Sequence, residues 1–144
     1  MYRRILVAMD GSPAAAGALG EAIRLAAAHR ASLRLVHVVA MPYVYDGETV
    51  DFAALADARA EPGRRVLADA EAQARGEGVE TEVVLSSTDG GTTGAALVAE
   101  ARRWPADLIV LGTHGHGVVH RLLGGTAEDV VRAAPVPVLL VRGR

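Results

Sequence analysis

Two segments of the chain place small, polar and glycine residues directly after an apolar run. One is Ala8-Met9-Asp10-Gly11-Ser12. The other is Leu111-Gly112-Thr113-His114-Gly115-His116-Gly117, and farther on Gly124-Gly125-Thr126 opens a segment of helical period. Glycine lets a backbone come close to a ligand. A helix N-terminus offers unpaired N–H groups and the positive end of the helix dipole, and both favour phosphate. A carboxylate such as Asp10 accepts hydrogen bonds from a ribose hydroxyl. Together these groups describe a nucleotide site built on backbone amides, without a lysine on the phosphates. The competing reading is plainer: glycine after a strand serves turn geometry, and Asp10 caps the turn or helix that follows.

Other residues that could do chemistry carry weaker patterns. His114, His116 and His120 follow an i, i+2, i+6 spacing in a loop, which fixes no metal geometry, and no carboxylate ligand accompanies them. We expect no metal there and place His114 at the phosphate site. His37 lies inside an apolar run and reads as a hydrogen-bonded core histidine. Tyr43 and Tyr45 read as part of a surface loop, the alternative being a cover over a bound base. Ser86-Ser87-Thr88-Asp89-Gly90-Gly91 reads as a turn. No Gly-x-Ser-x-Gly elbow is present, so a Ser-His-Asp reading around Ser12 is weak. A phosphoryl-transfer enzyme needs a cation on the phosphates and a positioned base. Arg121 could contact phosphate or stand in solvent, and Asp10 is the one carboxylate that the sequence puts near the site.

Composition removes further classes. The 144 residues are 51% hydrophobic and 22% charged, with a net charge of -2. That length suits one domain spanning 1–144, and the charge balance gives no reason to expect nucleic acid or an anionic membrane. With no cysteine there is no thiol nucleophile, disulfide or cysteine-based zinc site. All 15 basic residues are arginine, which removes Schiff-base chemistry and the Walker A loop. It also argues against receiver-type signalling domains, whose site needs a lysine. The apolar run Ile5 to Met9 is too short for a signal peptide, and no stretch approaches the roughly 20 apolar residues of a membrane span. The expectation is a soluble cytoplasmic protein.

The elements that must position these residues follow from periodicity. Ile5 to Met9 and Leu108 to Leu111 are continuous apolar runs, as in strands buried on both faces, and Leu33 to Val39 reads as a second buried strand. Val79 to Leu85 alternates and suits an edge strand. Val136 to Val141, with Pro135 and Pro137 at its start, suits the other edge. Ser12 with Pro13 opens a helix to about Arg30. Asp51 to about Gly76 reads as a long helix that Pro62-Gly63 interrupts or kinks. Thr92 to Arg103 and Thr126 to Ala133 are the remaining helices. The alternation gives an α/β fold: an open, doubly wound, parallel five-stranded sheet of order 3-2-1-4-5 with helices on both faces. Strands 1 and 4 then flank the topological switch point, where such sheets bind ligands. The two segments described first end those two strands.

The chain resembles the universal stress protein family along nearly its whole length. The resemblance rests on Ile5 to Ser12, Leu35-Val36-His37-Val38, Asp107 to Gly112 and Ala134 to Arg142. Its most specific piece is Gly-x2-Gly-x9-Gly-Ser/Thr, the ATP-binding signature of one branch, which Gly112, Gly115, Gly125 and Thr126 satisfy. Counted back from Pro135, the family's signature glycine falls at Gly124 and its serine at Gly125, so both glycines and Thr126 are candidates. The resemblance implies that Asp10 touches the ribose and that Val38 lines the adenine pocket with Ala8. It implies that Gly112 and Gly115 turn around the ribose and phosphates, and that Gly125 and Thr126 bind phosphate. Met9 and Leu111 join them as the strand-end residues beside Asp10 and Gly112.

The function expected is an ATP-binding stress-response regulator, ATP coming with Mg²⁺, that acts as a nucleotide-dependent switch. The resemblance also implies a homodimer through the last strand, Val136 to Val141, whose apolar edge invites a second copy. Protein partners are unnamed by the sequence. The rivals are a weak ATPase or phosphotransferase on the same site, an interaction module that has lost nucleotide binding, and an electron-transfer or flavin domain of the same fold class.

Overall fold

In the computed structural model, residues 1–41, 51–88, 90–113 and 125–143 are described. The elements run β1 (Arg4–Ala8), α1 (Pro13–His29), β2 (Ser32–Val39), α2 (Phe52–Gly76), β3 (Thr81–Ser87), α3 (Thr93–Arg103), β4 (Leu108–Thr113), α4 (Gly125–Ala133) and β5 (Val138–Arg142). The five strands form one sheet of order β3-β2-β1-β4-β5, every neighbour pair parallel. This is the doubly wound single-domain sheet that the alternation predicts.

The two faces of the sheet have separate cores. Ile5, Val7, Leu33, Leu35 and Val110 meet α1 and α2 on one side, through Leu19, Ile23, Leu67 and Ala74 among others. Leu6, Val36, Ile109 and Leu111 meet α3 and α4 on the other, through Leu97, Val98 and Val130. Because strand side chains alternate, β1, β2 and β4 bury apolar residues on both faces, and that is why they stand out in the sequence, with Arg34 and His37 as polar exceptions within β2.

Local signals place the helices. Ser12 Oγ accepts the N–H of Ala15 at 3.1 Å, with Pro13 in the first turn. Asp51 and Thr92 cap α2 and α3 in the same way, accepting from Ala54 and Ala95. Arg30, in the left-handed region at φ 55°, ends α1.

Three expectations need correction. The segment around Pro62-Gly63 does not interrupt α2, which is one helix from Phe52 to Gly76. Pro62 is exposed, so its ring and missing N–H disturb only the solvent side. Gly63 is a packing glycine: a Cβ there would stand 2.3 Å from the His37 imidazole. Next, β3 starts at Thr81 and includes Ser86 and Ser87, which pair with Val38 and Val39, so the turn begins only at Thr88. Val83 and Leu85 of this edge strand are each 38% exposed; Leu85 borders a groove of about 510 Å³ that Ala53, Ala56 and Ala60 of α2 are too short to fill. Finally, β5 begins at Val138, beyond both prolines. Proline 137 still contributes, its carbonyl accepting the N–H of Ile109 at 3.1 Å. No described helix is long and apolar enough to cross a membrane.

Candidate functional site

A cavity of about 300 Å³ lies at the carboxyl ends of β1, β2 and β4. This is the topological switch point, where neighbouring connections leave the sheet toward opposite faces. Ala8, Val36, Val38 and Leu111 from the strands and Leu97 and Ala127 from α3 and α4 give it an apolar wall. Asp10, Ser12, Thr93, Thr113 and Thr126 supply hydroxyls and one carboxylate. Met9, Ala15, Gly112 and Gly125 complete the lining, and no Lys or Arg is among these residues.

Each polar group is set by its element. Asp10 is exposed at the end of β1, and its Oδ1 accepts the N–H of Ser12 at 2.8 Å. The carboxylate therefore does structure the turn into α1, and Asp10 also lines the cavity. The first turns of α1, α3 and α4 all contribute to the lining. The turns of α3 and α4 touch directly: a Cβ on Gly94 would stand 2.5 Å from the Cβ of Asp129 and 3.2 Å from the Thr126 carbonyl. Three helix N-termini thus converge on one cavity, which gathers their positive dipole ends there.

The glycines separate into two kinds. Gly112 is a close-packing residue, since a Cβ would stand 2.3 Å from the Ala14 carbonyl oxygen and 2.8 Å from the Ala15 nitrogen. It lets β4 run against the backbone of α1 and so brings both halves of the cavity together. Gly125 is the opposite, with nothing within 4 Å of a Cβ placed on it. Among the described residues, no packing requires glycine at Gly125.

The end of β1 is pinned to β2 from both sides of one residue. The N–H of Met9 donates to the Val36 carbonyl at 2.8 Å, and Nδ1 of His37 lies 2.7 Å from the Met9 carbonyl oxygen. A carbonyl only accepts, so Nδ1 carries the proton. This is the hydrogen-bonded histidine that the sequence suggests at position 37. At the far side, the N–H of Gly143 donates to the Thr113 carbonyl at 2.6 Å, which holds β4 beside β5 at the point where the loop departs.

Of the candidate residues, Ala8, Met9, Asp10, Val38, Leu111, Gly112, Gly125 and Thr126 come together on this cavity. His114, Gly115 and Gly124 lie outside the described residues, as do Tyr43, Tyr45, His116, His120 and Arg121. Ser12 and Thr113, within the two segments that the sequence singles out, also line it, whereas sequence reasoning overlooked Ala15, Val36, Thr93, Leu97 and Ala127. Thr93 and Leu97 had a faint signal, being one helical turn apart at the start of a helix, but only the crossing of α3 over the sheet aims that face at the cavity.

Comparison with known proteins matches this architecture. The universal stress protein family model matches residues 1–142. A universal stress protein of Thermus aquaticus is 41% identical over 143 residues, covering 99% of this chain and 100% of the relative. The crystal structure of a family protein from Burkholderia pseudomallei superposes with a TM-score of 0.80 at 39% identity, covering 97% of this chain and 96% of that one. A universal stress protein solved in complex with cAMP superposes with a TM-score of 0.73 at 27% identity, covering 99% and 98%. On the family match, the sequence identity and the superposition, the chain belongs to the universal stress protein family.

Proposed function

We propose that this chain binds an adenine nucleotide in the switch-point cavity and acts as a nucleotide-dependent regulatory protein. The observation that carries the reading is the convergence of three helix N-termini on a cavity with an apolar wall and a carboxylate at its rim. An apolar slot between Ala8, Val36, Val38 and Leu97 suits a flat base. Asp10 suits a ribose hydroxyl, and the first turns of α1 and α4, with Thr126, suit phosphate. The relative solved with cAMP supports the ligand class.

ATP is the fuller form of this reading. Asp10 is the only carboxylate on the described lining. A Mg²⁺ ion would therefore take most of its ligands from phosphate oxygens and water, as that ion prefers. The described lining carries no cation to stabilise a transferring phosphoryl group, which favours binding over turnover. The same reading includes a homodimer through β5, whose Val138 to Val141 are half-buried at an edge of the sheet. An unpaired apolar edge is a template for pairing.

Calorimetric titration of the nucleotide-stripped protein with AMP, ATP and ATP plus Mg²⁺ tests the site, with Gly125→Trp as the blocked variant. No described residue stands within 4 Å of a Cβ at position 125, so the variant is expected to keep its fold and fill the cavity mouth. Micromolar binding that the variant loses is the expected result. Absence of heat at millimolar nucleotide would remove the reading. Light scattering at micromolar concentration tests the dimer, and a monomer there refutes it.

A further inference from the structure

The described lining of the cavity holds no cation, yet one stands a single strand beyond it. Side chains along β5 alternate between the two cores. Leu139 and Val141 pack on the α1 and α2 side, and Val138 and Leu140 on the α3 and α4 side. Arg142 lies two residues past Leu140, so it belongs to the α3 and α4 face, where the cavity is. The register agrees. Leu111 pairs with Leu140 and Thr113 with Arg142, and both Leu111 and Thr113 line the cavity. Residues in register share a face, so Arg142 stands beside Thr113 at about 4.8 Å, one strand spacing. The chain is held in place just after it. The N–H of Gly143 donates to the Thr113 carbonyl at 2.6 Å, and a Cβ on Gly143 would stand 2.9 Å from the Ala14 Cβ in the first turn of α1.

The Arg142 side chain has no task within the fold. It is exposed, and among the described residues it makes no hydrogen bond or ion pair. Arg132 of α4, by contrast, is held by Glu128 at 2.6 Å. The strand order gives the free guanidinium a direction of use. The apolar slot lies over β2 and β1, Asp10 ends β1, and Gly112 and Thr113 end β4 beside the first turn of α4. A nucleotide laid along that row has its base at β2 and β1, its ribose at Asp10 and its first phosphate at β4 and α4. The next strand in the row is β5. A monophosphate stops short of it, whereas a longer phosphate chain reaches it.

We infer that Arg142 determines specificity for the length of the phosphate chain: its guanidinium takes the phosphates beyond the first, so that a nucleoside di- or triphosphate binds more tightly than a monophosphate. A guanidinium suits this role because its fork of N–H donors matches phosphate oxygens two at a time. The placing of Arg142 stands on the fold alone; phosphate as its ligand rests on the proposed nucleotide site.

Calorimetric titration of Arg142→Ala, Arg142→Lys and Arg142→Glu with AMP and with ATP plus Mg²⁺ tests the inference. AMP affinity should stay within about twofold in all three, which also reports that fold and site are intact. ATP affinity should fall about tenfold in Arg142→Ala, the size of one charge-assisted hydrogen bond at an exposed position. It should fall further in Arg142→Glu, where like charges meet, and return in part in Arg142→Lys, which keeps the charge without the fork. The preference of the unmodified protein for ATP over AMP should shrink between about 0.05 M and about 0.5 M salt, and change less in Arg142→Ala. An ATP-to-AMP preference unaltered in Arg142→Ala overturns the inference. So does an equal loss of both affinities, which would make Arg142 a structural residue. If neither nucleotide binds the unmodified protein at millimolar concentration, the nucleotide site itself is overturned, and the inference with it.

Discussion

At the amino ends of the strands, side chains close the sheet; at the carboxyl ends, backbone groups are left open. Around the amino ends, Arg34 of β2 bonds Glu100 of α3 at 2.8 Å and Glu82 of β3 at 2.8 Å, and its guanidinium lies 4.8 Å from the ring centroid of Trp104. Arg103 adds a second partner for Glu100 at 3.0 Å. Asp107 accepts the N–H groups of Arg3 at 2.8 Å and Arg4 at 3.1 Å, tying the start of β1 to that of β4. The carboxyl ends hold a cavity, three helix N-termini and a single carboxylate. Strands of this length have the same backbone groups at both ends. The difference is what the flanking residues do with them: long charged side chains satisfy one end, while short residues at the other leave the groups for something else.

Variants can break this contrast, and the largest effect is expected at the closed end. Arg34→Ala leaves the Glu100 carboxylate, 3% exposed, with only the exposed Arg103. Removing one partner of a buried ion pair costs about 3 kcal/mol, readable by urea unfolding, with nucleotide affinity within about twofold of the unmodified protein. A loss below about 1 kcal/mol would mean the cluster does not hold that end together. Next is Gly112→Ala, where a methyl meets the Ala14 backbone at 2.3 Å. Overpacking against backbone costs about 2 kcal/mol, and because α1 must move, AMP affinity should fall more than tenfold as well. An unchanged melting temperature would show that β4 and α1 are not in that contact. The smallest change in stability is expected from Asp10→Ala, less than about 0.5 kcal/mol for an exposed turn residue, with AMP affinity nonetheless about tenfold weaker by calorimetry. Unaltered affinity would reduce Asp10 to its bond with Ser12.

Much of this was legible in the residue order. The apolar runs of β1, β2 and β4 could only be central strands, and their alternation with helices left one sheet order consistent with two edge-like strands. Ser12 and Pro13 marked the start of α1 because a cap and a fixed φ are local properties. The switch point then placed Asp10 and Gly112 on one crevice before any side chain was placed. The errors lie where a residue serves a neighbour distant in sequence. Pro62-Gly63 carries the composition of a helix break, yet its reason is the His37 ring pressed against it. Leu85 stands in an alternation that would suit a buried face, but the short alanines of α2 leave a groove beside it.

What the sequence by itself determined is therefore the set of elements, the sheet order and the end of the sheet where a ligand belongs, since periodicity, caps and handedness are written in consecutive residues. What only the tertiary structure decided is which glycines are packing residues and which leave space, that Thr93, Leu97 and Ala127 wall the cavity, and that the His37 imidazole bonds the Met9 carbonyl against Gly63. Those depend on distances of a few tenths of an ångström between elements far apart in the chain, and no pattern of neighbours along it encodes them.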